Sequence, residues 1–252
     1  MERKRYTFFV HVFMTKQNQE IVNEIVDKYK EDKNVLGVAI FGSAAKGEPD
    51  KYSDVDIYII LKKLGKFSRI NYIKNAVRVD IILSTFKETN AYLESDKYSL
   101  KRITSDMLAD GIILFDRKNI LKNAIKTAKN NLRQKTKYSK EEVLMHKYSI
   151  DDFLGETQRD VGNNDHLAFG IDSQLLINNV FEFFLKINGY TLPQPKKINS
   201  LLNQLDGRLA ALVSNFYRES NLELKEGILA KIVDYIYEVS GGHLPDKWRI
   251  KS

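Results

Sequence analysis

The sequence contains no cysteine. Disulfides and thiolate metal centres are therefore excluded, and nothing asks for an oxidising compartment. Proline is scarce, at 4 in 252 residues, while hydrophobic residues make up 43% and aromatics 11%. That balance excludes a disordered or fibrous chain and predicts one large domain or two modest ones with a sizeable core. No apolar run approaches the ~20 residues that span a bilayer, so a membrane-embedded protein is not expected. A secretory signal is not expected either. Met1–Tyr6 is basic and Thr7–Met14 apolar, but His11 interrupts the run and no small-residue cleavage site follows. Residues 1–13 read as an upstream extension or an edge strand, and the expected location is the cytoplasm.

The net charge of +7 is unevenly placed. From Arg117 to Lys137 there are eight Lys/Arg and no carboxylate, so the remainder of the chain carries −1. From Glu141 to Asp172 the sign reverses, with eight Asp/Glu against Lys147 and Arg159. A basic element abuts an acidic one, and such segregation bears on ligand choice more than the total does.

The first half alternates helical and strand patterns. Ile21, Val22, Ile25, Val26 and Tyr29 share one face of a helix spanning about Lys16–Glu31. Val35–Phe41, Asp54–Leu61, Ala76–Leu83 and Gly111–Phe115 read as strands, with helices expected over Ser84–Leu93 and Ser99–Asp110. After Asp116 the pattern is helical throughout. Ser139 with Glu142, and Ser220 with Glu223, form capping boxes; Pro195 fits a first helical turn and Asp206 a cap. The fold class is α+β followed by an all-α bundle. The expected divisions are a domain over 1–116, a basic connecting helix over 117–138 and a helical substrate-binding domain over 139–252.

The chemistry concentrates in Gly42-Ser43-Ala44-Ala45-Lys46-Gly47 and, six residues on, Asp54-Val55-Asp56. Two carboxylates at i and i+2 of a strand point to the same face and repel each other unless a cation lies between them. Hard divalent ions, Mg²⁺ above all, suit such oxygen ligands. Gly42-Ser43, at a strand-to-helix turn, leaves backbone N–H groups free for a phosphate. Asp80 sits among Val77, Val79, Ile81 and Ile82, where an unpartnered carboxylate would be costly, so it is expected to complete a metal-binding triad. A phosphate cradle beside a metal triad means phosphoryl or nucleotidyl transfer.

These residues resemble the signature of the DNA polymerase beta superfamily of nucleotidyltransferases. Gly42–Glu48 and Ser53–Asp56 are especially similar to the minimal nucleotidyltransferases. A helical second domain resembles that of the kanamycin and lincosamide nucleotidyltransferases. The resemblance implies a small mixed sheet with flanking helices, an active site in a cleft between the two domains, and two Mg²⁺ ions. It implies attack of an acceptor oxygen on the α-phosphate of ATP or another nucleoside triphosphate, with pyrophosphate leaving. Asp54 and Asp56 would hold both ions. Asp80 would bind the first and draw the acceptor proton, while Gly42, Ser43 and Lys46 would meet the phosphates.

Asp152, Glu156 and Asp160 recur at four-residue spacing opposite the core positions Ile150, Phe153, Leu154 and Val161. In the kanamycin-type enzymes a helical-domain acid is the general base and acids hold a polycationic drug; Glu156 is the candidate here. The expected acceptor is a hydroxyl of a small molecule, aminoglycoside-like and cationic, as in antibiotic resistance. Nucleic acid is disfavoured as a partner, because no aromatics interleave the basic stripe. The alternatives are nucleotidylation of a protein or tRNA, or a non-catalytic toxin/antitoxin-like binding module. The oligomeric state is left open, a dimer included.

Overall fold

The computed structural model describes residues 14–47 and 53–250. Residues 1–13, expected as an extension or edge strand, and Glu48 of the motif lie outside them. The described residues fall into two compact units that divide between Gln134 and Lys135.

The first unit opens with α1 (Lys16–Lys30), whose Thr15 cap accepts from the Asn18 amide at 3.2 Å and whose inner face buries Ile21, Val22 and Ile25. It continues as β1 (Val35–Phe41), α2 (Gly42–Lys46), β2 (Val55–Leu61), β3 (Arg69–Lys74), β4 (Val77–Thr85), α3 (Phe86–Asp96), α4 (Ile103–Ala109), β5 (Ile112–Asp116) and α5 (Ile120–Arg133). The strands form one sheet in the order β3-β4-β2-β1-β5. β2 and β4 are parallel; the other pairs are antiparallel. Strand β3 has no counterpart among the sequence expectations and is an edge strand, joined to β4 by Asn75 and Ala76 at φ 50° and 62°.

Period-2 alternation gives the sheet two apolar faces. Val38, Ile40, Val55, Ile57, Ile59, Val79 and Ile81 pack with α1. On the other face Ala39, Phe41, Tyr58 and Ile60 pack with Leu93, Leu108 and, from α5, Leu121, Ala124 and Ala128. A Cβ at Gly37 would stand 2.6 Å from Leu121 Cδ1, so the absence of a side chain there lets α5 lie directly on β1. The basic helix, expected as a connector, is therefore part of the first unit's core: its apolar stripe covers the sheet, and Lys122, Lys126, Lys129 and Arg133 face outward.

The second unit is all helical: α6 (Lys140–Gly162), α7 (His166–Ile187), α8 (Pro195–Leu205), α9 (Gly207–Arg218) and α10 (Leu222–Val239). Ile150, Phe169, Leu176, Ile177, Val180, Phe183, Leu209, Leu229, Ile232 and Ile236 are among its core residues. The Ser139–Glu142 capping box forms as expected. The Ser220–Glu223 box does not, because Asn221 takes the cap of α10 and accepts from the Leu224 amide at 2.8 Å.

Candidate active site

Strand pairing decides which acids meet. In the parallel β2–β4 ladder Asp56 is the register partner of Asp80, so both carboxylates lie on the same face of neighbouring strands. Asp54, two residues before Asp56, precedes that strand and, together with Asp80, raises the pKa of Asp56. Burial is the largest cause, and with the two neighbouring carboxylates it pushes the Asp56 carboxyl up to about 6, against a smaller lowering by Arg69.

Across the sheet, Phe41 at the end of β1 pairs with Asp56, which brings the β1–α2 turn against the acid. Gly42 adopts φ 73°, and a Cβ there would overlap Asp56 Oδ2. Two independent reasons thus require glycine at this position: the left-handed backbone and the close approach of the carboxylate. Ser43, half-buried, opens the short α2, and its carbonyl accepts from the Gly47 amide at the far end. Lys46 is turned toward α4, with its ammonium 3.6 Å from Asp106 Oδ1 and 3.9 Å from Asp110 Oδ2, and its side chain is only 14% exposed.

Asp80 is buried but not unpartnered. Arg69 of β3 grips it bidentately, Nε to Oδ1 at 2.8 Å and Nη2 to Oδ2 at 2.5 Å. In the antiparallel β3–β4 ladder Asn71 faces Asp80 and Arg69 faces Ile82, so the contact is a diagonal one on the same face, within reach of a long side chain. Arg69 is the site residue that sequence reasoning missed. Its position carries no motif, and only the pairing of β3 brings it to the acids.

The residue types suit a hard divalent cation, being oxygen donors whose mutual repulsion raises one of them. Among the described residues, however, no three His, Cys, Asp or Glu side chains stand close enough to hold a metal ion. Asp56 and Asp80 are brought together, while Asp80 spends both oxygens on Arg69.

The acidic residues of the second unit are not a uniform solvated face. Asp152 is exposed, and Glu156 is held by Arg159 one turn on, through two hydrogen bonds. Asp160 is 8% exposed, and its Oδ2 has no hydrogen-bond partner in the structure. Burial, then Asp172 and Asp165, raise its carboxyl, so the expected outward direction of Asp160 is corrected: it faces α7. His146, also internal, is bonded through Nδ1 to the Tyr138 hydroxyl at 2.6 Å.

Residues 23–120 match the family Polymerase beta, Nucleotidyltransferase. A protein of Methanocaldococcus jannaschii whose name places it among the protein adenylyltransferases is 29% identical over 126 residues, covering 44% of this chain and 84% of that protein. A nucleotidyltransferase-like protein from Exiguobacterium sibiricum shares the fold with a TM-score of 0.54 at 11% identity, over 86% of this chain and 73% of the other. None of the described helices is long and apolar enough to cross a membrane.

Proposed function

We propose, on the premise that this chain is a polymerase beta-like nucleotidyltransferase, that it transfers the nucleoside monophosphate of ATP to an acceptor hydroxyl and releases pyrophosphate. The observation that carries this reading is the in-register Asp56–Asp80 pair set against a turn that only glycine can make. Asp54, Asp56 and Asp80 would hold Mg²⁺, two ions in all. Bound there, the ions lower the acceptor's pKa and neutralise triphosphate charge. The chain's own groups do the rest. The Gly42–Ser43 amides and the Ser43 hydroxyl seat the terminal phosphates, and Asp80 draws the acceptor proton, whereas Lys46, expected to meet the phosphates, is turned to Asp106 and Asp110. Burial of Asp80 keeps bulk water from it.

For the acceptor, the acids of α6 that reach solvent, exposed Asp152 and half-buried Glu156 foremost, support a cationic small molecule bearing hydroxyls. A second reading, a side-chain hydroxyl of another protein, is favoured by the name of the Methanocaldococcus relative. Calorimetric titration of ATP with and without Mg²⁺ tests the common core. Binding is expected to depend on the metal, and metal-independent or absent triphosphate binding refutes the enzyme reading. Mass spectrometry of ATP incubated with hydroxylated polyamines, and separately with proteins, separates the two acceptors.

A further inference from the structure

We propose that Arg69 is a resident counter-cation of the acidic site, competing with divalent metal for Asp80 and freed as an anion ligand when metal displaces it. The inference rests on the metal-triad reading above and adds to it a residue and an order of events.

Three observations carry it. Both oxygens of Asp80 are already occupied by one guanidinium, Nε to Oδ1 and Nη2 to Oδ2, in the fork geometry that makes Arg–carboxylate pairs strong. The side chains differ sharply in environment: that of Asp80 is 8% exposed and that of Arg69 is 64% exposed. A buried carboxylate beside a second carboxylate needs a positive neighbour to persist, and Arg69 supplies it. The cation, by contrast, is tethered only by its own stem on an edge strand, so leaving Asp80 moves it into water at little cost.

The consequence is an order of binding. Without metal, Asp54 and Asp56 are the acids open to a divalent ion, and Asp80 is closed. A metal that recruits Asp80 has to break two charge-assisted hydrogen bonds. The released guanidinium stays on the acids' face of the sheet, where a triphosphate or another anion is the partner that would hold it. Metal and anion binding should therefore reinforce each other through Arg69.

The test is Mn²⁺ binding to the nucleotide-free full chain, read by the electron paramagnetic resonance of free Mn²⁺, with no turnover involved. Arg69→Gln is expected to bind Mn²⁺ about tenfold more tightly than the parent chain, roughly 1.4 kcal/mol. Arg69→Lys, which keeps the charge without the fork, should lie between them and serves if the Gln variant does not fold. Adding Asp80→Asn to Arg69→Gln should erase the gain. Equal affinity in the parent, Gln and Lys chains, or a gain that survives Asp80→Asn, overturns the role of Arg69 and leaves the triad reading standing. Absence of saturable Mn²⁺ binding in every chain overturns both.

Discussion

Asp56 carries opposing demands. On the proposed reading its carboxyl has to be ionised to receive a cation, whereas burial and two neighbouring carboxylates favour its protonated form. With the folded pKa at about 6 and the ordinary value at 3.8, the native chain retains a proton between these pH values that the unfolded chain has lost. Stability from this group is present below about pH 4, falls as pH rises to about 6, and is level above that. Asp56→Asn removes the penalty. In chelator at pH 8 the variant should melt higher than the parent, by about 1 kcal/mol after allowing for partial exposure, and the gap should close toward pH 4. Scanning calorimetry at both pH values checks this, and pyrophosphate release should be abolished. Gly42→Ala forces a side chain into a left-handed backbone and onto Asp56; a loss of about 1–3 kcal/mol and of metal-dependent ATP binding is expected by denaturant titration and calorimetry. Asp54, Asp56, Gly42 and Ser43 were legible because one turn and one strand fix their spacing. Arg69 was not, because its contact is diagonal across two strands and exists only once β3 pairs with β4.

At the scale of elements, most strands and helices were readable because one periodicity dominated each. Strand β3 failed that test: its sequence Arg-Ile-Asn-Tyr-Ile-Lys places Ile70 and Tyr72 inward but leaves Ile73 exposed, so the alternation is broken by an apolar residue on the solvent side. Its hairpin was hidden too. Asn75 and Ala76 both have positive φ, the requirement of a type I′ turn, but alanine is not the residue that marks such turns in a sequence. Ala76→Gly should relieve the left-handed strain and raise stability by roughly 0.5–1 kcal/mol, read as a shifted urea midpoint at unchanged slope. The cap of α10 shows a different limit. Ser220 and Glu223 satisfy the capping pattern in letters, yet Asn221 wins one residue later while the Glu219 carboxylate accepts the Ser220 and Asn221 amides. A buried arginine ties other elements together: Arg102, 3% exposed, donates to Ser99 O at 3.0 Å, to Gln134 O at 2.8 Å and to Asn131 O at the end of α5. Removing it strands those carbonyls. Arg102→Ala should cost about 3 kcal/mol, with hydrogen exchange quickening in the last turn of α5 before any change elsewhere.

Over the whole chain, the division into a mixed-sheet unit and a helical unit was legible from the change of periodicity after Asp116, and it falls inside the 117–138 span expected to connect the two. The basic stripe between Arg117 and Lys137 read as a connector by charge, whereas Leu121, Ala124 and Ala128 bind its helix to the sheet and move the division to Gln134. Charge describes the outer side of that helix and says nothing of the inner one. The same lesson limits the acidic segment. Of the residues expected to form one anionic face, Asp160 is covered beside Asp172 of α7 and Glu156 is partly neutralised by Arg159, so the field that this face offers a cationic acceptor comes mainly from Asp152 and Glu156. A variant joining Asp152→Asn with Glu156→Gln therefore tests the acceptor class without disturbing the buried acid. With a hydroxylated polyamine as acceptor, its KM should rise several-fold, its dependence on salt should flatten, and the KM for ATP should stay within about twofold, because screening acts on exposed charges only. An unchanged polyamine KM, or adenylylated protein as the sole product, would move the acceptor to a protein hydroxyl while leaving the Asp56–Asp80 chemistry of the first unit intact.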